Sequence, residues 1–287
     1  MNIIKKFFLS EIYPIQRLKN YFFKYGFFKT IQKILNLFFL KVGFKIERLN
    51  YNFERYELER KIFKTKKLKW SDRGYWYLDP MPSEDDLNKY YKSAYWKHGK
   101  LYGSLERDFI HWNIIFNYLS NFFIEKKTIL NFGAGHGGIS NIFWVLGHNI
   151  INVEPSMMPN SFEGRWHNYK KIKDVPDSSI DFFYSSHSLE HVADLDDFLK
   201  SIRRVLKKKS YIFFEVPNGN CPKNGPLEER IHAPHTYYFK KEFFNKEFKN
   251  IILNDCFSDT FGNGDFYNWK NYVDYNGVII RVLAMNN

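Results

Sequence analysis

The second half of the chain alternates short apolar runs with stretches of helical spacing. Six of these runs have the length and apolar character of buried strands. The predicted strands are Ile129–Phe132, Asn149–Val153, Ile180–Tyr184, Tyr211–Val216, Asn250–Asp255 and Gly277–Ala284. Strands that alternate with helices predict an α/β domain, in which helices cover both faces of a mostly parallel sheet. Since no long helix separates the last two strands, we expect them to form an antiparallel pair.

Two helices are predicted between these strands. The first covers Gly138–Leu146 and is ended by Gly147, because glycine readily adopts the left-handed conformation that follows a helix. The second covers Leu195–Lys207 and presents one apolar stripe. The stripe consists of Phe198, Leu199, Ile202, Val205 and Leu206. We expect this stripe to pack on the sheet.

Residues 71–127 form a second predicted region, a cap on the substrate side of the sheet. A short strand in "GYWYL" is stopped by Pro80 and Pro82. Ser83 then has the side chain of a helix N-cap and is followed by three acidic residues, which the helix dipole favours in the first turn. A further helix is predicted from Ser104 to Phe123.

Residues 1–70 form a third predicted region with a strong positive charge. They hold 17 of the 43 Lys and Arg residues but only 5 of the 31 Asp and Glu residues, so the net charge of +12 resides here. Within residues 21–45, apolar residues at helical spacing are interleaved with lysines, which predicts a basic amphipathic helix. Such a helix can pack on the main domain, pair with a second copy in a homodimer, or contact an anionic membrane surface. Nucleic-acid binding is disfavoured because arginine is sparse and bulky apolar residues separate the basic ones.

Composition places further bounds on the protein. The 287 residues are 44% hydrophobic, enough for a sizeable core, and only two are cysteines, Cys221 and Cys256. Two cysteines without a Cys-x-x-Cys pair fit a reducing cytosol and provide neither a disulfide framework nor a zinc motif. No signal peptide and no long uncharged apolar run is evident. We therefore expect a cytoplasmic protein, with the inner face of the membrane as a further location.

A glycine-rich turn in "TILNFGAGHGGISNIF" follows the first predicted strand of this domain. Read as Gly133, Gly135 and Gly138, it has the spacing of a dinucleotide site. Read as Gly133, Gly135 and Gly137, it has the spacing that many methyltransferases use for S-adenosylmethionine. Glu154, at the end of the next strand, suits a ribose in either ligand. These residues alone leave both interpretations open.

The downstream segments "SSIDFFYSSHSLEHV" and "YIFFEVPN", together with "ILNFGAGHGG" and "NVEPS", closely resemble class I S-adenosylmethionine-dependent methyltransferases, especially small-molecule and sugar methyltransferases. The resemblance covers about residues 128–285. It implies a Rossmann-like, seven-stranded, mostly parallel sheet whose last strand is antiparallel, with the helical N-terminal region as an extension. It makes residues 128–287 the cofactor-binding domain and S-adenosylmethionine the cofactor.

The resemblance also assigns residues to the cofactor. It implies that Gly133, Gly135 and Gly137 approach the methionine portion, that Glu154 holds the ribose, and that Ser186 and His187 lie near the sulfonium. One position departs from the family, because Asn131 stands where an acidic residue is usual. Asparagine lacks the negative charge that faces the cationic cofactor, so binding is weakened or another acid replaces it.

A hydroxyl or amine acceptor benefits from a base that takes its proton. Histidine titrates near neutral pH, and the candidates are His187, His191, His232 and His235. Glu190 is suited to orient one of these histidines or the acceptor. A metal site from His232, His235 and Glu228 or Glu229 lacks specific spacing, so no metal is expected.

The leading hypothesis is O-methylation of a small polar acceptor, such as a sugar, a nucleotide-sugar or a phosphorylated precursor, in the biosynthesis of bacterial surface polysaccharide (capsule or lipopolysaccharide). The alternatives are an NAD-dependent oxidoreductase or epimerase and a non-catalytic binding protein on a methyltransferase fold. A nucleic-acid methyltransferase is disfavoured, because "SSHSLEHV" stands where an Asn/Asp-Pro-Pro-Tyr motif would grip a flipped base.

Overall fold

The structure, a computed structural model, describes residues 55–91, 105–135, 137–155, 166–220, 234–258, 273–274 and 277–286. The chain divides into two compact units, Met1–Tyr56 and Glu57–Asn287. The predicted amphipathic helix within residues 21–45 lies outside the described residues, as does His232. Among the helices of the described ranges, none combines the length and the apolar character needed to cross a membrane.

A small sheet has three strands, β1 (Lys67–Ser71), β2 (Tyr75–Asp79) and β8 (Tyr237–Phe239), in the order β1-β2-β8. β1 crosses the boundary predicted at residue 70. The pairing of β2, the strand predicted in the cap, with β8 links the cap to the segment that carries His235. Aromatic side chains from Tyr75, Tyr237 and Phe239 pack at this junction, with ring centroids 5.5–5.9 Å apart.

The larger sheet has seven strands: β3 (Thr128–Phe132), β4 (Asn149–Val153), β5 (His167–Tyr169), β6 (Ile180–Ser186), β7 (Leu206–Pro217), β9 (Asn250–Phe257) and β10 (Ile279–Met285). Their order across the sheet is β5-β4-β3-β6-β7-β10-β9. β3 to β7 pair in parallel, whereas β10 is antiparallel to both β7 and β9. The predicted fold is confirmed, including the antiparallel last strand. Sequence analysis did not predict strand β5 of this sheet, because its three residues include no buried apolar run.

Helices cover both faces of the larger sheet. They are α2 (Leu105–Leu119), α3 (Gly138–Val145), α4 (Leu195–Val205) and α5 (Lys241–Glu247), whereas α1 (Glu84–Tyr90) packs with Leu78 of the small sheet. Because successive strand residues point to opposite faces, Phe182 packs in the core beneath α2 and α3, while Phe183 packs in the core beneath α4. The predicted apolar stripe of α4 is buried.

The end of α4 differs from its prediction. The helix was expected to continue to Lys207, but Leu206 has an extended backbone and begins β7 directly. Leu206 is nevertheless buried, because as the first residue of β7 it packs in the same core as the apolar stripe of α4. The predicted cap of α1 is confirmed, since the Ser83 side chain accepts a hydrogen bond from the Asp86 N–H.

Candidate active site

A cleft of about 580 Å³ opens at the carboxyl ends of β3, β4 and β6. Strand order reverses between β3 and β6, and such switch points are where open α/β sheets bind their ligands. The volume falls within the range of small-molecule sites, about 300–1,000 Å³. Seven of the predicted site residues line the cleft: Asn131, Gly133, Gly135, Glu154, Ser186, His187 and His191.

The glycine turn connects β3 to α3. Gly133, Gly135 and Gly137 have φ values of 70°, 51° and 73°, in the left-handed region that favours glycine. The Gly133 N–H donates to the Val153 carbonyl at 2.8 Å, which fixes the turn against β4. A Cβ at Gly135 would meet no atom within 4 Å. The backbone at Gly135 therefore borders open space, as a backbone that cradles a ligand must.

Glu154 directly follows β4 and reaches back to the glycine turn. Its Oε2 accepts a hydrogen bond of 2.9 Å from the Gly135 N–H. The carboxylate lies where two parallel strands end side by side, which is the position the ribose of an adenosine ligand requires. The glycine turn and Glu154, which sequence analysis assigned to the same ligand, thus line the same cleft.

Asn131 takes part in a buried chain of polar side chains. Its Nδ2 donates to Ser140 Oγ at 2.8 Å, and that hydroxyl donates to Asn152 Oδ1 at 2.7 Å. Asn152 continues the chain to Asn168 at 3.3 Å. A carboxylate at position 131 would have no hydrogen to give Ser140. Asparagine at position 131, where the family usually has an acid, is therefore suited to the polar residues beneath the turn, because its amide can donate to Ser140.

Asp108, on α2, is an acidic cleft residue that sequence analysis missed. Its Oδ2 lies so close to the glycine turn that a Cβ on Gly138 would be 1.9 Å from it. Burial raises the pKa of Asp108 to about 7; Glu215 also raises it, and Arg107 lowers it. The available signal was "LERDFIHW", in which Arg107, Asp108 and His111 are ionisable residues in a helix that also carries a run of apolar residues.

Glu215 lies fully buried on β7, beneath the cleft, where its carboxylate accepts hydrogen bonds from several side chains. Its Oε2 accepts from Arg281 Nε at 2.7 Å and from His111 Nε2 at 2.5 Å, and its Oε1 accepts from Ser186 Oγ at 3.0 Å. Burial raises the pKa of Glu215, but the charges and hydrogen bonds of its partners outweigh burial and hold it well below the usual value. Ser186, predicted near the sulfonium, is thus oriented by an ionised carboxylate.

His187 lies between two buried carboxylates, with Nδ1 3.3 Å from Glu190 Oε1 and Nε2 3.3 Å from Glu215 Oε1. Its φ of 49° is unusual for a residue with a side chain and turns the ring into this position. Burial lowers the pKa of His187, but the two carboxylates outweigh burial and raise it to about 9. The imidazole is therefore protonated at neutral pH, which suits a hydrogen-bond donor better than a base.

His191 ends a single helical turn, Leu189–His191. Burial lowers its pKa, so the ring is neutral at neutral pH. Its Nδ1 donates to the Pro234 carbonyl at 3.3 Å, and its ring lies 5.0 Å from that of His235. Glu190, His191 and His235 bring one potential metal-ligating atom each to within 4.8 Å of one another. Sequence analysis had grouped His235 with residues that lie outside the described ranges.

The sequence model of the methyltransferase domain family matches residues 109–251, about half of the chain. The matched range contains β3 to β8 and all seven predicted cleft residues. The chain belongs to the class I S-adenosylmethionine-dependent methyltransferases. S-adenosylmethionine is the cofactor of the family to which the chain belongs, and this decides between the two interpretations of the glycine turn.

Individual relatives of this methyltransferase are distant. Phosphoethanolamine N-methyltransferase 3 of Arabidopsis thaliana is 27% identical over an alignment of 147 residues, which covers 46% of this chain and 29% of that protein. The chain thus matches less than a third of its curated relative. The Burkholderia thailandensis 1,6-didemethyltoxoflavin-N1-methyltransferase, solved with 1,6-didemethyltoxoflavin and S-adenosylhomocysteine, is 12% identical with a TM-score of 0.51, covering 77% of this chain and 99% of that one. A methyltransferase from Archaeoglobus fulgidus is 20% identical with a TM-score of 0.41, covering 65% of this chain and 96% of that one.

Proposed function

We propose that this methyltransferase transfers the methyl group of S-adenosylmethionine to a hydroxyl oxygen of a small polar acceptor. One observation carries the proposal: a glycine turn with Glu154 and a cluster of histidines with carboxylates share a single cleft. The turn and Glu154 suit the cofactor, and the histidine cluster suits a group that must lose a proton on methylation.

The cofactor would be held mainly by the turn. Gly133, Gly135 and Gly137 let the backbone approach the methionine portion, and Glu154 accepts hydrogen bonds from the ribose hydroxyls. Ser186 and His187 would lie near the sulfonium at the end of β6. Asn131 supports the turn from below through Ser140. The negative charge that Asn131 lacks would come from Asp108, whose carboxylate borders Gly138.

Alignment supplies most of the rate in methyl transfer, because the sulfonium carbon is already electrophilic. The acceptor oxygen attacks this carbon, the bond between carbon and sulfur breaks, and S-adenosylhomocysteine leaves. The proton of the acceptor hydroxyl must go to a base. Among the predicted histidines, His191 is neutral and lines the cleft, so it is the base we favour. His187, which is protonated and held between Glu190 and Glu215, would add a fixed positive charge beside the acceptor, and His235 and His232 remain candidate contacts.

For the acceptor we propose a sugar, a nucleotide-sugar or a phosphorylated precursor in bacterial capsule or lipopolysaccharide biosynthesis. Arg107 and Lys170 line the cleft and suit an anionic group. N-methylation of a phosphorylated amine is a second candidate, which the similarity to the plant phosphoethanolamine N-methyltransferase favours.

Two experiments test these proposals. Calorimetric titration of the purified chain should give binding of S-adenosylhomocysteine and no binding of NAD, and the reverse result would overturn the assignment of the cleft. Incubation with labelled methyl donor and separate pools of nucleotide-sugars, sugar phosphates and phosphoethanolamine should label one pool. Labelling of phosphoethanolamine alone would replace the O-methyl proposal with N-methylation.

We also propose a cytoplasmic location with membrane contact through residues 21–45, where lysines alternate with apolar residues. The full chain should co-sediment with vesicles of anionic lipid and be released by salt. Co-sedimentation that is absent, while the protein migrates as a dimer in sedimentation velocity, would favour the homodimer instead.

A further inference from the structure

Glu190, His191 and His235 form a compact group at one side of the cleft, which is called the Glu–His–His group below. Their potential ligand atoms, a carboxylate oxygen and one ring nitrogen from each histidine, all lie within 4.8 Å of one another. Ligands at about 2.0–2.2 Å from one cation are separated by somewhat less than this distance. Small side-chain rotations would therefore allow all three to contact the same ion.

The backbone holds the Glu–His–His group in place. Thr236, next to His235, donates its N–H to the Glu190 carbonyl at 2.8 Å, and its hydroxyl lies 2.9 Å from the same oxygen. The hydroxyl also lies 2.8 Å from the Val192 carbonyl. These hydrogen bonds join the turn that carries Glu190 and His191 to the strand that follows His235. A site on two joined segments is preorganised, whereas a site on one free loop is not.

His191 has the hydrogen bond that metal-binding histidines commonly have. Its Nδ1 donates to the Pro234 carbonyl, so the proton is on Nδ1 and the lone pair of Nε2 is available. Nε2 is also the nitrogen that faces Glu190, 3.7 Å from Oε1. The tautomer and the orientation of the ring are thus those that a metal ligand needs.

The Glu190 carboxylate supplies an independent indication. Its side chain is 1% exposed, and neither oxygen receives a hydrogen bond from the residues that the structure describes. His187 approaches Oε1 at 3.3 Å as an ion pair. Buried carboxylates ordinarily accept hydrogen bonds or coordinate cations, because burying a charge without partners is costly. Oε1 thus has His187 as a partner, whereas Oε2 has none among the described residues, and a buried oxygen of this kind beside two histidines is suited to a cation.

We propose that the Glu–His–His group binds a divalent transition-metal ion, of which Zn²⁺ fits the ligand set best. Two histidines and one carboxylate are a known ligand set for catalytic zinc, which retains an open coordination position. His191 lines the cleft, so the open position would face the acceptor. Metal binding does not depend on the proposed methyl transfer, but its use in the reaction rests on that proposal.

In the reaction the metal would replace His191 as the group that activates the acceptor. The acceptor hydroxyl coordinates the ion, its pKa falls, and its proton passes to solvent water. The resulting alkoxide forms a bond to the methyl carbon while the bond from carbon to sulfur breaks. A diol or a hydroxyl beside a phosphate could occupy two coordination positions, which would select such acceptors.

The test uses the full chain after treatment with a chelator and removal of the chelator. Calorimetric titration with Zn²⁺ alone should give one site per chain. His235→Gln should weaken binding at least about tenfold, the size of effect seen when metal sites lose supporting groups. His167→Gln is the matched control, because His167 is exposed on β5 and outside the group. Equal affinity in the two variants, or no zinc binding by the wild type, would overturn the proposal.

Two further measurements identify the metal ligands and check that the variant is folded. Substitution with Co²⁺ should give a visible spectrum of nitrogen and oxygen ligands, and a thiolate band would show that a cysteine binds the metal instead. S-adenosylhomocysteine titrated into the same samples should bind to His235→Gln as tightly as to the wild type, which shows that the variant is folded. If the wild type binds S-adenosylhomocysteine but not zinc, only the metal proposal fails. If it binds zinc but not S-adenosylhomocysteine, only the methyltransferase proposal fails.

Discussion

The Asp108 carboxylate occupies the space that a side chain at position 138 would need, since a Cβ on Gly138 would lie 1.9 Å from Asp108 Oδ2. Helix α2 and the first turn of α3 are therefore fitted to each other at the cleft. In Gly138→Ala the carboxylate must move, while α3 gains up to about 1 kcal/mol of helix propensity. We expect cofactor affinity to fall with little loss of stability. Calorimetry with S-adenosylmethionine and a thermal melt would check both; unchanged affinity would contradict a role for the Asp108 position.

Asp108→Asn tests the charge directly. Because burial raises the pKa of Asp108 to about 7, the side chain ionises as pH rises from 6 to 8, and the ionised form should favour the cationic cofactor. The ionised fraction rises about tenfold over this interval, so affinity for S-adenosylmethionine should rise by up to about tenfold in the wild type. Asp108→Asn should bind more weakly at pH 8 and lose this dependence.

The raised pKa of Asp108 also makes the free energy of unfolding depend on pH. Between the ordinary pKa of about 4 and the folded value of about 7, folded protein holds a proton that the unfolded chain has released, so this group makes the fold less stable as pH rises. Asp108→Asn should therefore gain stability relative to the wild type between pH 5 and pH 8. The neighbouring Glu215 keeps its charge throughout this range, because its pKa lies well below the usual value. Identical pH profiles of the two proteins would contradict the raised pKa.

Gly135 and Gly147 form a matched pair. Both have positive φ, and a Cβ at either would meet no atom within 4 Å. Alanine at each position should cost about 1–2 kcal/mol, because the left-handed conformation is strained for residues with a Cβ. Only Gly135→Ala should also weaken binding of S-adenosylhomocysteine, since Gly147 follows α3 at the end away from the turn. Equal nucleoside affinity in both variants would show that Gly135 does not border the ligand.

Asn131→Asp restores the acid that is usual in the family. Because the Asn131 amide donates to Ser140 in a buried chain, a carboxylate there would lose this hydrogen bond and bury a charge. We expect a loss of about 1–3 kcal/mol at neutral pH and no tighter cofactor binding. Chemical denaturation and calorimetry would measure the two effects. Tighter binding in this variant would show that Asp108 does not supply the missing charge.

Glu215→Gln should destabilise the protein strongly. The substitution leaves Arg281, which is fully buried, without its carboxylate partner, and breaking a buried ion pair typically costs about 3–5 kcal/mol. Glu247→Gln provides a comparison, because its two partners, Arg73 and Arg203, are 36% and 52% exposed, and exposed pairs contribute at most about 1 kcal/mol each. Denaturation midpoints of the two variants should differ accordingly.

Sequence determined the sheet because its strands are apolar runs whose burial dominates folding. Periodicity located the strands from Ile129 to Ala284 and the apolar stripe of α4, and the left-handed glycines marked the turn. Periodicity did not reveal β5, β1 or the exact end of α4, since short or half-exposed elements carry little apolar signal. The motif order in "SSHSLEHV" and "FFEVPN" named the cofactor, which the glycines alone left open.

Only the tertiary structure decided which polar groups meet. Asp108 lies 30 positions before Gly138, and Glu190 lies 45 positions before His235, so no local pattern could pair them. The protonation of His187 likewise depends on Glu215, a residue of another strand. Apolar periodicity is a local property of the chain, whereas a charged site is set by distances between segments that folding alone brings together.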